Sequence, residues 1–176
     1  MMYNCLFLIA FLMFEGQMIF DFDVDSNLKS WSIVDDVVMG GRSDGRFKVT
    51  EEGSGLFYGN VSLENNGGFS SVRYYCEDLD IKGAEFAVLR VKGDGKNYQF
   101  RTKSNIYQRH SYVMTFETTG DWQTIKIPLK EMEPTFRGYK LNMPDYPAEI
   151  LDEITFLIAN KRNESFRLEI DYIGLE

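Results

Sequence analysis

The chain predicts an all-β fold. Hydrophobic residues recur with a period of two in one run after another, and turn-forming residues punctuate those runs at short intervals. Aromatic content is 15%, with 14 Phe and 10 Tyr. Alternation sends successive side chains to opposite faces of a strand, and flat rings pack well on a pleated surface. No stretch carries the 3.6-residue period of a long amphipathic helix. Strands joined by short turns pair antiparallel, so the expected architecture is a sandwich or barrel with little helix.

The elements follow in order. Phe20, Phe22 and Val24 alternate with Asp21 and Asp23. Phe57, Gly59, Val61 and Leu63 share one face of the next run, and Ala87, Leu89 and Val91 one face of another. Tyr112, Met114 and Phe116 form a further face. Phe166, Leu168, Ile170 and Tyr172 alternate with Arg167, Glu169 and Asp171. The turns are Gly40-Gly41, Ser43-Asp44-Gly45, Asn65 to Gly68, Gly93-Asp94-Gly95 and Thr119-Gly120-Asp121. Gly93 to Lys96 reads as a hairpin turn, because Asp-Gly supplies positive φ cheaply. All four prolines fall between Pro128 and Pro147, which predicts a long surface connection. A short helical turn is expected over Ala148 to Glu153.

At 176 residues the chain is expected to form one domain, with about 70% of the unfolded surface buried. Residues 18–176 read as that domain and residues 1–17 as an apolar leader. Leu6 to Phe14 is a nine-residue apolar run, too short to span a bilayer as a helix. It fits a signal-peptide core with Glu15-Gly16-Gln17 as the processing region. No Lys or Arg precedes it, and a second reading starts the functional chain at Met18. The first reading implies a periplasmic or exported protein, the second a cytoplasmic one. No transmembrane segment is expected.

A net charge of −8 repels phosphate backbones, so no nucleic-acid partner is expected. The two cysteines, Cys5 and Cys76, form no disulfide framework and no Cys-x-x-Cys pair. No cofactor or metal is expected. Asp21-x-Asp23-x-Asp25 resembles a calcium loop, but Ser26 and Ser32 stand where such a loop needs Gly and Glu. The sequence lacks a Gly-x-Ser-x-Gly elbow and the Gly-rich phosphate loops. No catalytic residue is assigned, and the chain reads as a non-enzyme.

Seven side chains remain as binding candidates: Asp35, Asp36, Arg42, Tyr107, Arg109, His110 and Arg137. Adjacent Asp35 and Asp36 point to opposite faces of an extended strand and cannot easily share a proton. Capping of nearby backbone N–H groups is the competing role. His110, the only histidine, shares the parity of Tyr112, Met114 and Phe116. Arg101, Lys103, Tyr107, Arg109, Arg137, Tyr139 and Lys140 form a basic-aromatic subset suited to sugars or acidic partner segments.

The stretch Trp31 to Gly45 joins a Trp, an acidic pair and a Gly-Gly turn. With Phe57 to Arg73, Val91 to Tyr98, Trp122 to Leu129, Pro134 to Gly138 and Phe166 to Asp171, in that order, it resembles the complex I intermediate-associated protein 30 family. The resemblance implies a galactose-binding-like jelly-roll β-sandwich. It implies a noncatalytic binding or assembly module, since mitochondrial members assist assembly of the respiratory NADH dehydrogenase complex. The chain looks like the short single-domain bacterial type. A protein partner is expected, with carbohydrate as the alternative ligand. Trp31 and Trp122 are expected to fill the sandwich interior, and Arg137 to face either a partner or Asp35 and Asp36.

Overall fold

A computed structural model describes residues 16–176. The apolar run Leu6 to Phe14 lies outside the described residues. In chain order the strands are β1 (Gln17–Asp21), β2 (Trp31–Asp35), β3 (Asp44–Val49), β4 (Gly55–Val61), β5 (Ser70–Asp80), β6 (Phe86–Lys92), β7 (Asn97–Lys103), β8 (Ser111–Glu117), β9 (Trp122–Pro128), β10 (Glu133–Phe136), β11 (Tyr139–Lys140), β12 (Ile150–Ile158) and β13 (Glu164–Leu175). Helix among the described residues is confined to three short 3-10 turns.

Two antiparallel sheets form. The first runs β3-β4-β13-β6-β9, with β1 also paired to β13; the second runs β11-β10-β8-β7-β12-β5-β2. Their inner faces meet in one core that includes Phe57, Leu89, Phe100, Ile154, Phe156 and Leu168. This is the sandwich expected from the alternation. Trp31 lies in it, ringed by Phe47 at 4.8 Å, Tyr74 at 4.9 Å, Phe22 at 5.3 Å and Phe20 at 5.4 Å between ring centroids. Packing of this kind adds to the area each ring removes from water.

Several local expectations are corrected. β1 ends at Asp21, and Val24 lies exposed in the turn beyond it. In that turn Asp23 Oδ1 accepts the Asp25 N–H and the Ser26 hydroxyl. Leu63 is likewise exposed, because β4 stops at Val61. In β13 a register shift between Ile170 and Tyr172 moves the apolar parity by one. Ile173 and Leu175 follow Ile170 into the core, and Tyr172 does not. Trp122 does not fill the interior. It has the parity of Thr124 and Lys126, opposite to buried Ile127, so it stands outward on β9 with Arg90 over its ring at 5.8 Å.

Gly93 to Lys96 is not a hairpin turn within one sheet: it carries the chain from β6 in the first sheet to β7 in the second. Asp94 braces that crossing, accepting the Tyr98 hydroxyl at 2.9 Å and the Arg167 N–H at 3.0 Å. The proline-bearing stretch holds two short strands, β10 and β11. Ala148 to Glu153 forms no helical turn, because Ile150 already begins β12. Pairing to both β5 and β7 satisfies its backbone on either side.

β12 places the outward residues of the second sheet. A register shift between Leu151 and Glu153 lets both Leu151 and Ile154 point into the core. Glu153, Thr155 and Leu157 are thereby turned to the opposite face. Asp152, at the irregularity, accepts the N–H of Asp78 at 3.2 Å and of Ile106 at 2.7 Å, which ties the β7–β8 loop to the end of β5.

Candidate binding face

Asp36 is fully buried, just past the end of β2. Its carboxylate accepts the Ser43 hydroxyl at 2.5 Å, the Gly68 N–H at 2.6 Å, the Ser43 N–H at 3.0 Å and the Phe69 N–H at 3.2 Å. Burial raises its pKa; the Ser43 hydroxyl and the Gly68, Ser43 and Phe69 amides outweigh burial and hold it below the ordinary 3.8. The chain can fold back so closely because of glycine. Gly40 turns at φ 90°, and a Cβ on Gly41 would overlap the Asp36 carboxylate. Asp35 accepts the Ser70 hydroxyl at 2.6 Å and the Gly45 N–H at 2.8 Å. Both carboxylates therefore bind the chain's own donors and stitch β2, β3 and β5 together.

Arg42 is exposed and pairs with Glu64 at 2.8 Å, not with either aspartate. Tyr107, Arg109, His110 and Arg137 lie at the opposite end of the second sheet. Arg109 and Arg137 flank the Phe136 ring, their guanidinium carbons 5.0 and 5.4 Å from its centroid. His110 meets Tyr112 edge-on at 5.2 Å, and its Nε2 is buried without a partner among the described residues. Tyr107 is 87% exposed. The structure thus brings Arg109 and Arg137 together on Phe136 and seats His110 against Tyr112. It separates them from Asp35, Asp36 and Arg42, and Arg137 does not reach the aspartates.

The outer face of the second sheet carries a row that crosses six strands and is polar on all of them but β8. Ser32 on β2 pairs with Arg73 on β5, Arg73 with Thr155 on β12, and Thr155 with Arg101 on β7. Arg101 pairs with Val113 on β8, and Val113 with Glu133 on β10. Beside it Tyr75, Glu153 and Lys103 form a second row. Glu153 is buried, 3.7 Å from Lys103 Nζ and 3.9 Å from Arg73 Nη1. Burial, and then the neighbouring Arg73, push the Arg101 pKa down. Under this face the half-buried Cys76 thiol is pushed up to about 12 by burial and then by Asp152 and Glu153. Arg101 and Lys103 were legible as part of a basic subset. Arg73 and Glu153 were missed, although their strand parity was available as a signal.

Among the described residues, no group of three or more His, Cys, Asp or Glu is placed to hold a metal ion. No described helix is long and apolar enough to cross a membrane.

Comparison with known proteins places this architecture. The family model for complex I intermediate-associated protein 30 matches residues 20–170. A mitochondrial complex I intermediate-associated protein 30 of Drosophila melanogaster is 27% identical over 92% of this chain and 63% of its own length. The Mus musculus counterpart is 28% identical over 93% of this chain and 57% of its own. The chain thus spans less than two thirds of these relatives. Among solved structures, the family 11 carbohydrate-binding module from Clostridium thermocellum, in complex with a β-1,3-1,4-mixed-linked tetrasaccharide, superposes with a TM-score of 0.65. It shares 18% identity, with 91% of this chain and 95% of the module covered. A family 30 carbohydrate-binding module gives 0.56 at 14% identity over 92% and 98%. These likenesses show the fold, a jelly-roll sandwich of the galactose-binding-like kind. With a β-sandwich in place and the match running through Trp31 to Gly45 and on to Ile170, the chain belongs to the complex I intermediate-associated protein 30 family.

Proposed function

We propose that this chain is a noncatalytic module that binds protein, associating with partly assembled respiratory complex I as its relatives' name describes. One observation carries the reading. The acidic pair in the stretch that marks the family is consumed by internal donors: Asp36 is fully buried under four of them, and Asp35 holds Ser70 and Gly45. Asp36 has its acceptor sites filled, and Asp35 holds one internal donor on each oxygen, so both carboxylates serve to hold the chain's own segments together. The test is a native gel of membrane extract from cells carrying the tagged chain. The chain is expected to co-migrate with complex I subunits in a band smaller than the finished complex. Migration of the chain by itself, under mild crosslinking as well, contradicts the proposal.

A second reading, carbohydrate binding, is supported by the shared fold, by the exposed Tyr107 of the β7–β8 loop and by the Arg109–Phe136–Arg137 group. Rings and guanidinium groups of this kind stack on sugars. A glycan array run with and without Ca²⁺ tests it. Signal that disappears on Tyr107→Ala, Arg109→Ala or Arg137→Ala supports the reading, and a blank array refutes it.

A further inference from the structure

The outer face of the second sheet gathers positive charge that the chain does not neutralise. Arg73 and Lys103 share one carboxylate, Glu153, and Arg101 stands in the same sheet opposite Thr155. The distances of 3.7 and 3.9 Å from Glu153 to Lys103 and Arg73 exceed the roughly 2.7–2.9 Å of a charge-assisted hydrogen bond. Arg101 donates from Nε and Nη2 to Gln99 Oε1 at 2.9 and 2.6 Å. It has no carboxylate within 4.0 Å among the described residues. Arg73 Nε and, one strand over, Ser32 Oγ are buried with no partner among the described residues.

Four other arginines of this protein are closely paired, whereas Arg90 lies 3.9 Å from Asp171 and Arg109 and Arg137 lie over the Phe136 ring. Arg42, Arg46, Arg162 and Arg167 each sit 2.8–2.9 Å from a carboxylate. A half-buried guanidinium beside a second guanidinium costs desolvation and repulsion, which an anion on the face would relieve. The chain as a whole carries −8, so the row is a local positive site on a molecule that otherwise repels anions.

We infer that the Arg73–Thr155–Arg101 row, with Lys103 beside it, receives the carboxylates of an acidic, extended segment of a protein partner. The inference rests on the protein-binding reading above. Arg73 and Arg101 are rooted two strand spacings apart, about 10 Å. An extended segment lying along the row presents alternate side chains about 6.8 Å apart, within reach of two long arginines. Planar guanidinium groups suit carboxylates because each offers two parallel donors. A neutral sugar would leave the charge of both guanidinium groups uncompensated, which a carboxylate does not.

The test uses the full chain and three probes: a fluorescent octaglutamate peptide, an oligogalacturonate and inorganic phosphate. Octaglutamate is expected to bind, more weakly as salt rises from low values to about 0.15 M. Arg73→Gln and Arg101→Gln are each expected to weaken binding about tenfold. Glu153→Gln, which removes the internal competitor, is expected to tighten it several-fold, an outcome that partial unfolding cannot imitate. Thermal unfolding of each variant reports whether the arginine changes damage the fold. Absence of octaglutamate binding to both wild type and Glu153→Gln overturns the inference. So does weaker binding on Glu153→Gln, or preference for oligogalacturonate or phosphate over the peptide. Co-migration with complex I subunits without octaglutamate binding rejects this site and leaves the protein-binding reading standing. Octaglutamate binding without co-migration supports the site and rejects that reading.

Discussion

Replacing Asp36 with Ala removes the acceptor of four hydrogen bonds at once. Three come from the backbone amides of Ser43, Gly68 and Phe69 and one from the Ser43 hydroxyl. The side chain is fully buried, so water reaches the orphaned donors poorly. An unmet buried donor costs about 1–3 kcal/mol, and relaxation of the loop recovers part of that sum. We expect Asp36→Ala to lose on the order of 3–5 kcal/mol, a large share of a typical stability of about 5–15 kcal/mol. With a urea slope near 2 kcal/mol per molar, the unfolding midpoint should fall by roughly 1.5–2.5 M.

The pH dependence gives an independent check with a definite sign. The folded pKa of Asp36 lies below its unfolded value. The unfolded chain therefore binds the proton more readily, and stability rises with pH across the gap. The contribution is fully present above 3.8 and is lost as pH falls through the folded value. Wild type should show that acid-limb loss, and Asp36→Ala should lack that component. A variant within about 1 kcal/mol of wild type, with the same acid limb, would falsify the account of Asp36 as a buried bolt.

Further outcomes follow from the packing. Trp31→Ala should cost about 3–5 kcal/mol by emptying the ring cluster. Trp122→Ala, on the outward face of an edge strand, should cost about 1 kcal/mol or less; chemical denaturation separates the two, and equal losses would contradict the assigned orientations. In a Cys5→Ser background, Cys76 should react with maleimide slowly at neutral pH. A thiol moved from 9.0 to about 12 carries on the order of 10³-fold less thiolate. Labelling at the rate of a free thiol would contradict the burial of Cys76.

Much of the fold was legible because strand parity is local. Ala87, Leu89 and Val91, or Tyr112 and Phe116, declare their buried face within one run. What escaped depends on pairing between distant segments. The irregularities beside Asp152 and Tyr172 shift parity only when β12 and β13 meet their neighbours. Gly93 to Lys96 has hairpin chemistry, but β6 and β7 pair in different sheets. Pro147-Ala148 resembled a helix start until the two ladders of β12 claimed the backbone that follows. The candidate face follows the same logic. Tyr107, Arg109 and His110 are close in the chain, whereas Arg73, Glu153 and Arg101 meet only because β5, β12 and β7 are neighbours. Asp35 and Asp36 drew notice as an acidic pair; the donors that occupy them come from Ser43, Gly45, Gly68, Phe69 and Ser70 on other segments.

We propose that the outer face of the second sheet is the surface this protein presents to a protein partner. A photo-crosslinking side chain placed at Tyr75, beside the Arg73–Arg101 row, tests that most directly, with the same group at Tyr58 on the first sheet as the comparison. After irradiation in native membrane extract, the adducts are digested and sequenced. The account predicts an adduct from position 75, absent from position 58, to a peptide rich in Asp and Glu from a complex I subunit or assembly intermediate. An adduct from position 58 alone, or none from either position, contradicts it.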